Sequence, residues 1–289
     1  MARKPSVCIV GLGLMGGSLA LALKRAGWAA RIAGVSRSPD TLAAAQAAGA
    51  LDSGHTSLAD GVRDADVIVL ATPVRTLLAQ LDEVGACARA GIARPDALVL
   101  DLGSAKAEVC AAMDRLPEGL QPIGGHPMCG KETGGFAAAD ADLYAGKMFV
   151  LCPLPRASAA ALRTARSLAE AAGSRALVLD PVAHDRAVAA ISHLPYLAAA
   201  GLVNAVAAGN DPLAWALAAS GFRDTTRVAA SDPRMFLDIL LTNRDAVLAW
   251  LDLYAAEMAA LRDALAAGDE AALAEQLAAA RARRSGLKL

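Results

Sequence analysis

Apolar positions follow one rhythm in the first part of this chain and another after about residue 180. Six short runs of aliphatic and β-branched residues come first: Ser6–Val10 (SVCIV), Arg31–Val35 (RIAGV), 66–71 (DVIVLA), 96–101 (DALVLD), 148–152 (MFVLC) and 176–180 (ALVLD). Each is too short for a helix and apolar nearly throughout, as a strand covered on both faces of a parallel sheet must be. Helix-length stretches lie between them. One covers 19–26 and stops at Gly27, one starts near Lys106, and one covers 157–172. From Pro181 onward no strand pattern remains. Residues 182–208 predict one long helix, amphipathic at first and then apolar all round, which requires burial against another helix or another subunit. Pro195 disturbs its turn, because proline has no N–H to offer the carbonyl of Ile191. Residues 221–227 predict a loop entering a helix, residues 235–250 and 255–284 predict helices, and 281–289 (RARRSGLKL) a solvated basic end. The expected architecture is α/β over 1–180 followed by an all-helical region over 181–289.

Composition narrows the function. The chain has 289 residues, enough for one large or two ordinary domains, and 55% of them are hydrophobic. Its formal net charge is −1 and aromatics are 3%, so it lacks both the basic stripe and the stacking platforms of a nucleic-acid binder. Residues 1–6 are short and polar, with no apolar core of a secretory leader. No stretch approaches the roughly 18 apolar residues of a membrane span without a charge or a breaker, so no membrane partner is expected. The five cysteines are odd in number and widely spaced without a CxxC. That argues against a disulfide framework or a metal site and for buried thiols in a reducing, cytoplasmic setting.

The chemistry starts where the first strand ends. Gly11-Leu12-Gly13-Leu14-Met15-Gly16 is a GxGxxG turn between a strand and a helix, the context dinucleotide binding needs. Gly11 permits the tight turn, Gly13 lets the backbone approach a pyrophosphate, and Gly16 lets the helix pack closely. About 20 residues on, NAD enzymes place a carboxylate on the ribose. Here stand Ser36, Arg37 and Ser38, which suit a 2′-phosphate, so NADP is favoured with NAD possible. Thr72 and Pro73 read as N-cap and first residue of a helix at another strand end, where ligands of such sheets bind. Ser104 has two readings, a helix cap or a group reaching the substrate. His126, held between Gly124-Gly125 and Pro127, reads as a loop residue, and its near-neutral pKa suits a general acid or base. Lys131 and Glu132 stand close enough in sequence to orient it, to bind substrate or to be solvated. His193 lies beside the expected kink. Arg223 and Arg227, four apart, suit carboxylates on the substrate if a helix brings them to one face, and are otherwise a solvated pair.

Taken together, VGLGLMGGS, DLGSAK, GGHPMCGKE, ISHLPY and GFRDTTRVAASDP resemble the prephenate/arogenate dehydrogenase family of tyrosine biosynthesis. The resemblance runs along nearly the whole chain. It implies a Rossmann domain followed by a helical dimerisation domain, and a homodimer formed through the latter. Neither a chorismate mutase segment before the first strand nor a β-rich regulatory domain after the helices is expected. The implied reaction is oxidative decarboxylation of a 4-hydroxycyclohexadiene, with hydride passing to NAD(P). His126 would accept the hydroxyl proton and Ser104 would hydrogen-bond His126 or the hydroxyl. Arg227 would hold a substrate carboxylate, and His193 would line the pocket from the helical side of a cleft between domains. Many members carry threonine where this chain has Lys131, which opens the question of substrate choice. Two other readings compete: a two-domain reductase of the β-hydroxyacid dehydrogenase type, and a non-catalytic nucleotide sensor. The first needs a lysine where the long helix has His193, and the second has no need of the histidine, serine and arginine set.

Overall fold

A computed structural model, describing residues 3–131 and 133–287, places eight strands in one sheet. In chain order these are β1 (Ser6–Val10), β2 (Arg31–Val35), β3 (Ser53–His55), β4 (Val67–Leu70), β5 (Leu98–Asp101), β6 (Gln121–Pro127), β7 (Met148–Pro153) and β8 (Arg175–Val178). Their spatial order is β3-β2-β1-β4-β5-β6-β7-β8. The first six run parallel, β7 pairs antiparallel with β6, and β8 runs parallel with β7. The six expected strands are present. The other two, β3 and β6, escape the apolar-run criterion because one is three residues long and the other is rich in glycine and proline.

Helices cover both faces: α1 (Leu14–Ala26), α2 (Pro39–Ala47), α3 (Leu58–Val62), α4 (Val74–Arg89), α5 (Ala107–Asp114) and α6 (Ala159–Ala171). The strands' two-residue side-chain period divides the core between the faces. Val7, Ile9, Val67 and Val69 pack with Leu19 and Leu23 of α1 and Leu168 of α6. Cys8, Val10, Ile68 and Leu70 pack with Leu77 and Leu81 of α4 and Val109 of α5. Cys8 and Cys152 are buried, and burial pushes both thiols up to about 12, which leaves them unreactive.

After β8 the described residues form helices: α7 (Pro181–Val188), α8 (Leu194–Ala208), α9 (Pro212–Ala216), α10 (Ser220–Thr226), α11 (Pro233–Thr242), α12 (Arg244–Ala267) and α13 (Glu270–Ser285). Asp180 caps α7 by accepting from the amides of Val182 and Ala183, with Pro181 in the first turn. The expected long helix is continuous, but Ala189–His193 form a π turn between α7 and α8. Such a turn accommodates the bond that Pro195 cannot make. Residues 221–227 are already helical rather than a loop. The last helices break at Asn243 and at Gly268, not near 251–254. Gly268 takes a left-handed φ of 64° and Asp269 caps the next helix through the amide of Ala272.

The helical part exposes much apolar surface. α8 buries only Ala199, α13 buries nothing, and Leu213, Leu217 and Leu265 are 64%, 79% and 69% exposed. Among the described residues one helix, Pro181–Ala208, is by length and composition apolar enough to cross a membrane, although Asp185, Arg186 and the breaker Pro195 lie within it. Three of its polar residues are nevertheless tied into the protein: His184, Asp185 and His193 are buried and hydrogen-bonded.

Candidate active site

The glycine turn occupies the carboxyl end of β1. Gly11 has φ 96°, and a Cβ there would meet the carbonyl oxygen of Ala71 at 2.7 Å, so only glycine fits without strain. A Cβ on Gly16 would stand 1.9 Å from the Gly11 carbonyl oxygen, which accounts for the third glycine. Gly13 precedes the first turn of α1 and would direct a Cβ into open space. The bare backbone of Gly13 and the free amides of α1 make a cradle that fits a pyrophosphate. Leu12 is buried in the core and offers only its backbone, and Leu14 and Met15 pack partly against the same core. At the end of β2, Ser36 accepts from the amide of Ser38, Ser38 caps α2 by accepting from Thr41, and Arg37 is exposed. No side-chain cap starts α4. The helix begins at Val74 with Pro73 at the cap position, and the Thr72 hydroxyl donates to Gln80 at 2.6 Å.

His126 lies on β6, not on a loop. It is paired with Val150 of β7, and strand pairing is possible because the two preceding residues lack Cβ atoms. A Cβ on Gly124 would meet Cys110 Sγ at 2.7 Å, and one on Gly125 the Asp101 carbonyl oxygen at 2.3 Å. The glycines that suggested a loop instead relieve crowding inside a sheet. Beneath them lies a fully buried ion pair, Asp101 with Lys106. Lys106 Nζ donates to the Gly125 carbonyl at 2.8 Å, and Asp101 accepts from the amides of Gly125 at 2.8 Å and Gly103 at 2.7 Å. The peptide preceding His126 is thus held on both sides. Burial pushes the Asp101 carboxyl up, opposed by Lys106 and these two amides.

The partner of His126 comes from the helical part. His126 Nδ1 lies 2.8 Å from His184 Nε2, and His184 Nδ1 lies 2.7 Å from Asp185 Oδ1. The Asp185 carboxylate also accepts from the amides of Lys106 and Ala107, both at 2.7 Å. It therefore takes the place of a cap for α5. Sequence reading considered Ser104 for that cap, but no side-chain cap serves α5 within its own segment. Ser104 is half-buried, and among the described residues no hydrogen bond joins it to His126.

The chain of bonds assigns protons. A carboxylate only accepts, so His184 donates from Nδ1. With His184 Nε2 as the acceptor, His126 donates from Nδ1 and its Nε2 keeps a lone pair. Burial, with the Lys106 ammonium nearby, holds His126 well below the ordinary histidine value, so the ring is neutral at physiological pH. His193 belongs to the same cluster. It is 1% exposed, and its Nδ1 lies 3.2 Å from Asn243 Nδ2. His184, Asp185 and Asn243 were not among the expected site residues. A histidine and aspartate in the first helix after the last strand were the available signal.

Sequence neighbours of the site have other occupations. Lys131 donates to Asp140 at 2.8 Å, in a half-exposed pair worth little to stability. Asp140 in turn donates its amide to Ser18 of α1, and Tyr144 donates to the Met15 carbonyl, both at 2.8 Å. The connection between β6 and β7 is thereby pinned beside the glycine turn. Arg223 is exposed and paired with Asp224 at 3.0 Å. Arg227 opens a 3-10 turn, Arg227–Ala230, after α10, with at least one interaction of its own. Glu132 lies outside the described residues.

Two sequence families divide this chain between them. The nucleotide-binding domain of prephenate dehydrogenase matches residues 19–178, and the dimerization domain of prephenate dehydrogenase matches 180–279. The chain belongs to the prephenate dehydrogenase family. Prephenate dehydrogenase of Bacillus subtilis is 35% identical over 99% of this chain and 77% of its own length. The structure of the Aquifex aeolicus prephenate dehydrogenase, in complex with hydroxyphenyl propionate and NAD+, superposes with a TM-score of 0.89. It is 30% identical, covering 99% of each chain. The Synechocystis arogenate dehydrogenase superposes with a TM-score of 0.83 at 32% identity, covering 97% of this chain and 99% of its own. In prephenate dehydrogenase terms, the His126–His184 bond joins the nucleotide-binding half to the dimerization half, and the Asp185 cap on α5 makes the same junction a second time.

Proposed function

We propose that this chain carries out the oxidative decarboxylation of prephenate or arogenate in tyrosine biosynthesis, at the cleft where His126 meets the helical part. The observation that carries the reading is the run Asp185–His184–His126, which leaves one bare basic nitrogen, His126 Nε2, on a neutral ring. The glycine turn, the start of α1 and the Thr72–Pro73 strand end would hold the dinucleotide. When bound, the nicotinamide supplies the acceptor for hydride from the ring carbon bearing the hydroxyl. His126 Nε2 takes the hydroxyl proton as that carbon becomes a carbonyl. The bond from the ring to its carboxylate then breaks, its electron pair flows through the ring to the carbonyl oxygen, and carbon dioxide leaves. His126 returns the proton to that oxygen, and an aromatic phenol remains. The Asp185 charge, spread through His184, favours the protonated His126 of the intermediate stage. Ser104 would hydrogen-bond the reacting hydroxyl, and Arg227 would hold a carboxylate of the substrate.

NADP is the favoured cofactor, because β2 ends in Ser36, Arg37 and Ser38 with no carboxylate to repel a 2′-phosphate. The active form is a homodimer through the residues after 180, since α8 and α13 leave apolar faces uncovered. The five free cysteines, four of them buried, suit a reducing cytoplasm. The deciding experiment supplies prephenate and arogenate separately, each with NAD and with NADP, and follows reduced cofactor. Turnover with none of these combinations would sink the reading, and the preferred pair fixes substrate and cofactor together.

A further inference from the structure

Asn243 is the single residue between α11 and α12, and it is buried. Its side-chain nitrogen lies 2.8 Å from the backbone carbonyl oxygen of Asp185 and 3.2 Å from His193 Nδ1. A carbonyl only accepts, so the amide nitrogen, not its oxygen, must face Asp185, and the orientation of the side chain follows. The second hydrogen of the same NH₂ group faces His193 Nδ1, which must therefore accept. A neutral histidine that accepts at Nδ1 carries its proton on Nε2. Burial pushes His193 down to about 4, although Asp185 pulls the other way, so the neutral ring is the form present near neutral pH. Among the described residues Nε2 has no hydrogen-bond partner, although the ring is only 1% exposed.

His193 and His126 are tied to the same residue, His126 through His184 to the Asp185 carboxylate and His193 through Asn243 to the Asp185 carbonyl. Their outward nitrogens have opposite character. His126 Nε2 holds a lone pair, because His184 takes the Nδ1 proton, whereas His193 Nε2 holds a proton, because Asn243 blocks Nδ1. We propose that Asn243 is a positioning residue that holds His193 as the Nε2–H tautomer, so that His193 donates a hydrogen bond to an oxygen of the bound substrate. The donation rests on the reading of this cleft as the substrate site. The tautomer does not.

The test separates the two. The chain has four histidines, so ¹⁵N-histidine labelling of the intact protein gives few enough signals to assign each by substitution. Long-range ¹H–¹⁵N correlation near neutral pH should show His193 protonated on Nε2 alone. Protonation on Nδ1, or on both nitrogens, overturns the proposal, and this needs neither turnover nor a variant. In Asn243→Asp a carboxylate oxygen replaces the NH₂ group, so the His193 proton should move to Nδ1. KM for the preferred substrate should then rise roughly tenfold, the worth of one hydrogen bond, with cofactor affinity retained. An unmoved tautomer, or an equal loss of cofactor and substrate binding, would mean that Asn243 only packs the helix junction. If neither prephenate nor arogenate is turned over by the parent protein, the functional reading fails while the tautomer result stands.

Discussion

At the scale of single residues, the reaction turns on which nitrogen carries a proton. In the proposed reaction His126 serves as the base because its Nδ1 proton is directed to His184, whose own Nδ1 proton is directed to Asp185. Replacing His126 with asparagine should lower kcat by about 10²–10⁴-fold, the usual scale of a general acid or base, with dinucleotide binding intact in a fluorescence titration. Near-normal turnover would remove His126 from that role. Because surrounding charge and burial hold His126 below the ordinary histidine value, the acid limb of kcat/KM should lie below about pH 6.5. A limb above that value would contradict the electrostatics of the cluster. At the other end of the cleft, Arg37→Ala should weaken NADP far more than NAD in the same titration. Equal loss of both would mean that Arg37 meets no 2′-phosphate.

At the scale of elements, Lys106 is where three pieces of structure meet. Its ammonium holds the β6 carbonyl before His126 and the carboxylate of Asp101 at the end of β5. Its backbone amide, at the start of α5, holds Asp185 of α7. Removing one member of a buried ion pair leaves an uncompensated charge, so Lys106→Met should cost about 3–5 kcal/mol in urea unfolding. A loss no larger than an ordinary surface change would show that the pair is solvated in solution. The π turn and the break at Asn243 belong to the same scale. Each places a residue, His193 in the first case and Asn243 in the second, where an uninterrupted helix would have carried it elsewhere.

At the scale of the whole molecule, the fold stores uncharged histidines. The folded His193 value of about 4 lies below the unfolded value near 6.5, so between these the unfolded chain binds a proton that the folded chain refuses. Stability is therefore full above about pH 6.5 and falls as pH drops toward 4, by about 3 kcal/mol from His193 alone. Urea midpoints across that window should show the decline, and His193→Asn should flatten it. An equal slope in both proteins would assign the acid sensitivity to other groups. The apolar faces of the helical part act at this scale too. Leu217→Asp, at a 79% exposed leucine, should shift sedimentation from dimer toward monomer if that face meets a second copy.

What the amino-acid sequence determined by itself was whatever depends on local chemistry. Strands announced themselves as apolar runs because helices cover both faces through the middle of the sheet, although β8 at its edge is largely exposed, and the dinucleotide turn announced itself because only glycine tolerates the conformation at Gly11. Six strands and the helical second half were legible on those grounds, and His126 stood out as a candidate base. Contacts between segments distant in sequence were not. β6 looked like a loop because its glycines answer to Cys110 and Asp101, residues on other elements. Ser104 read as either the cap of α5 or a group reaching the substrate because it stands just before that helix, while the partner of those amides, Asp185, lies 79 residues beyond Lys106. His184 passed as one polar residue in a helix, since nothing near it in sequence names His126, 58 residues away, as its partner. Tertiary structure alone decided these pairings, because a hydrogen bond is set by distance and direction in space, and chain order carries neither across a domain junction.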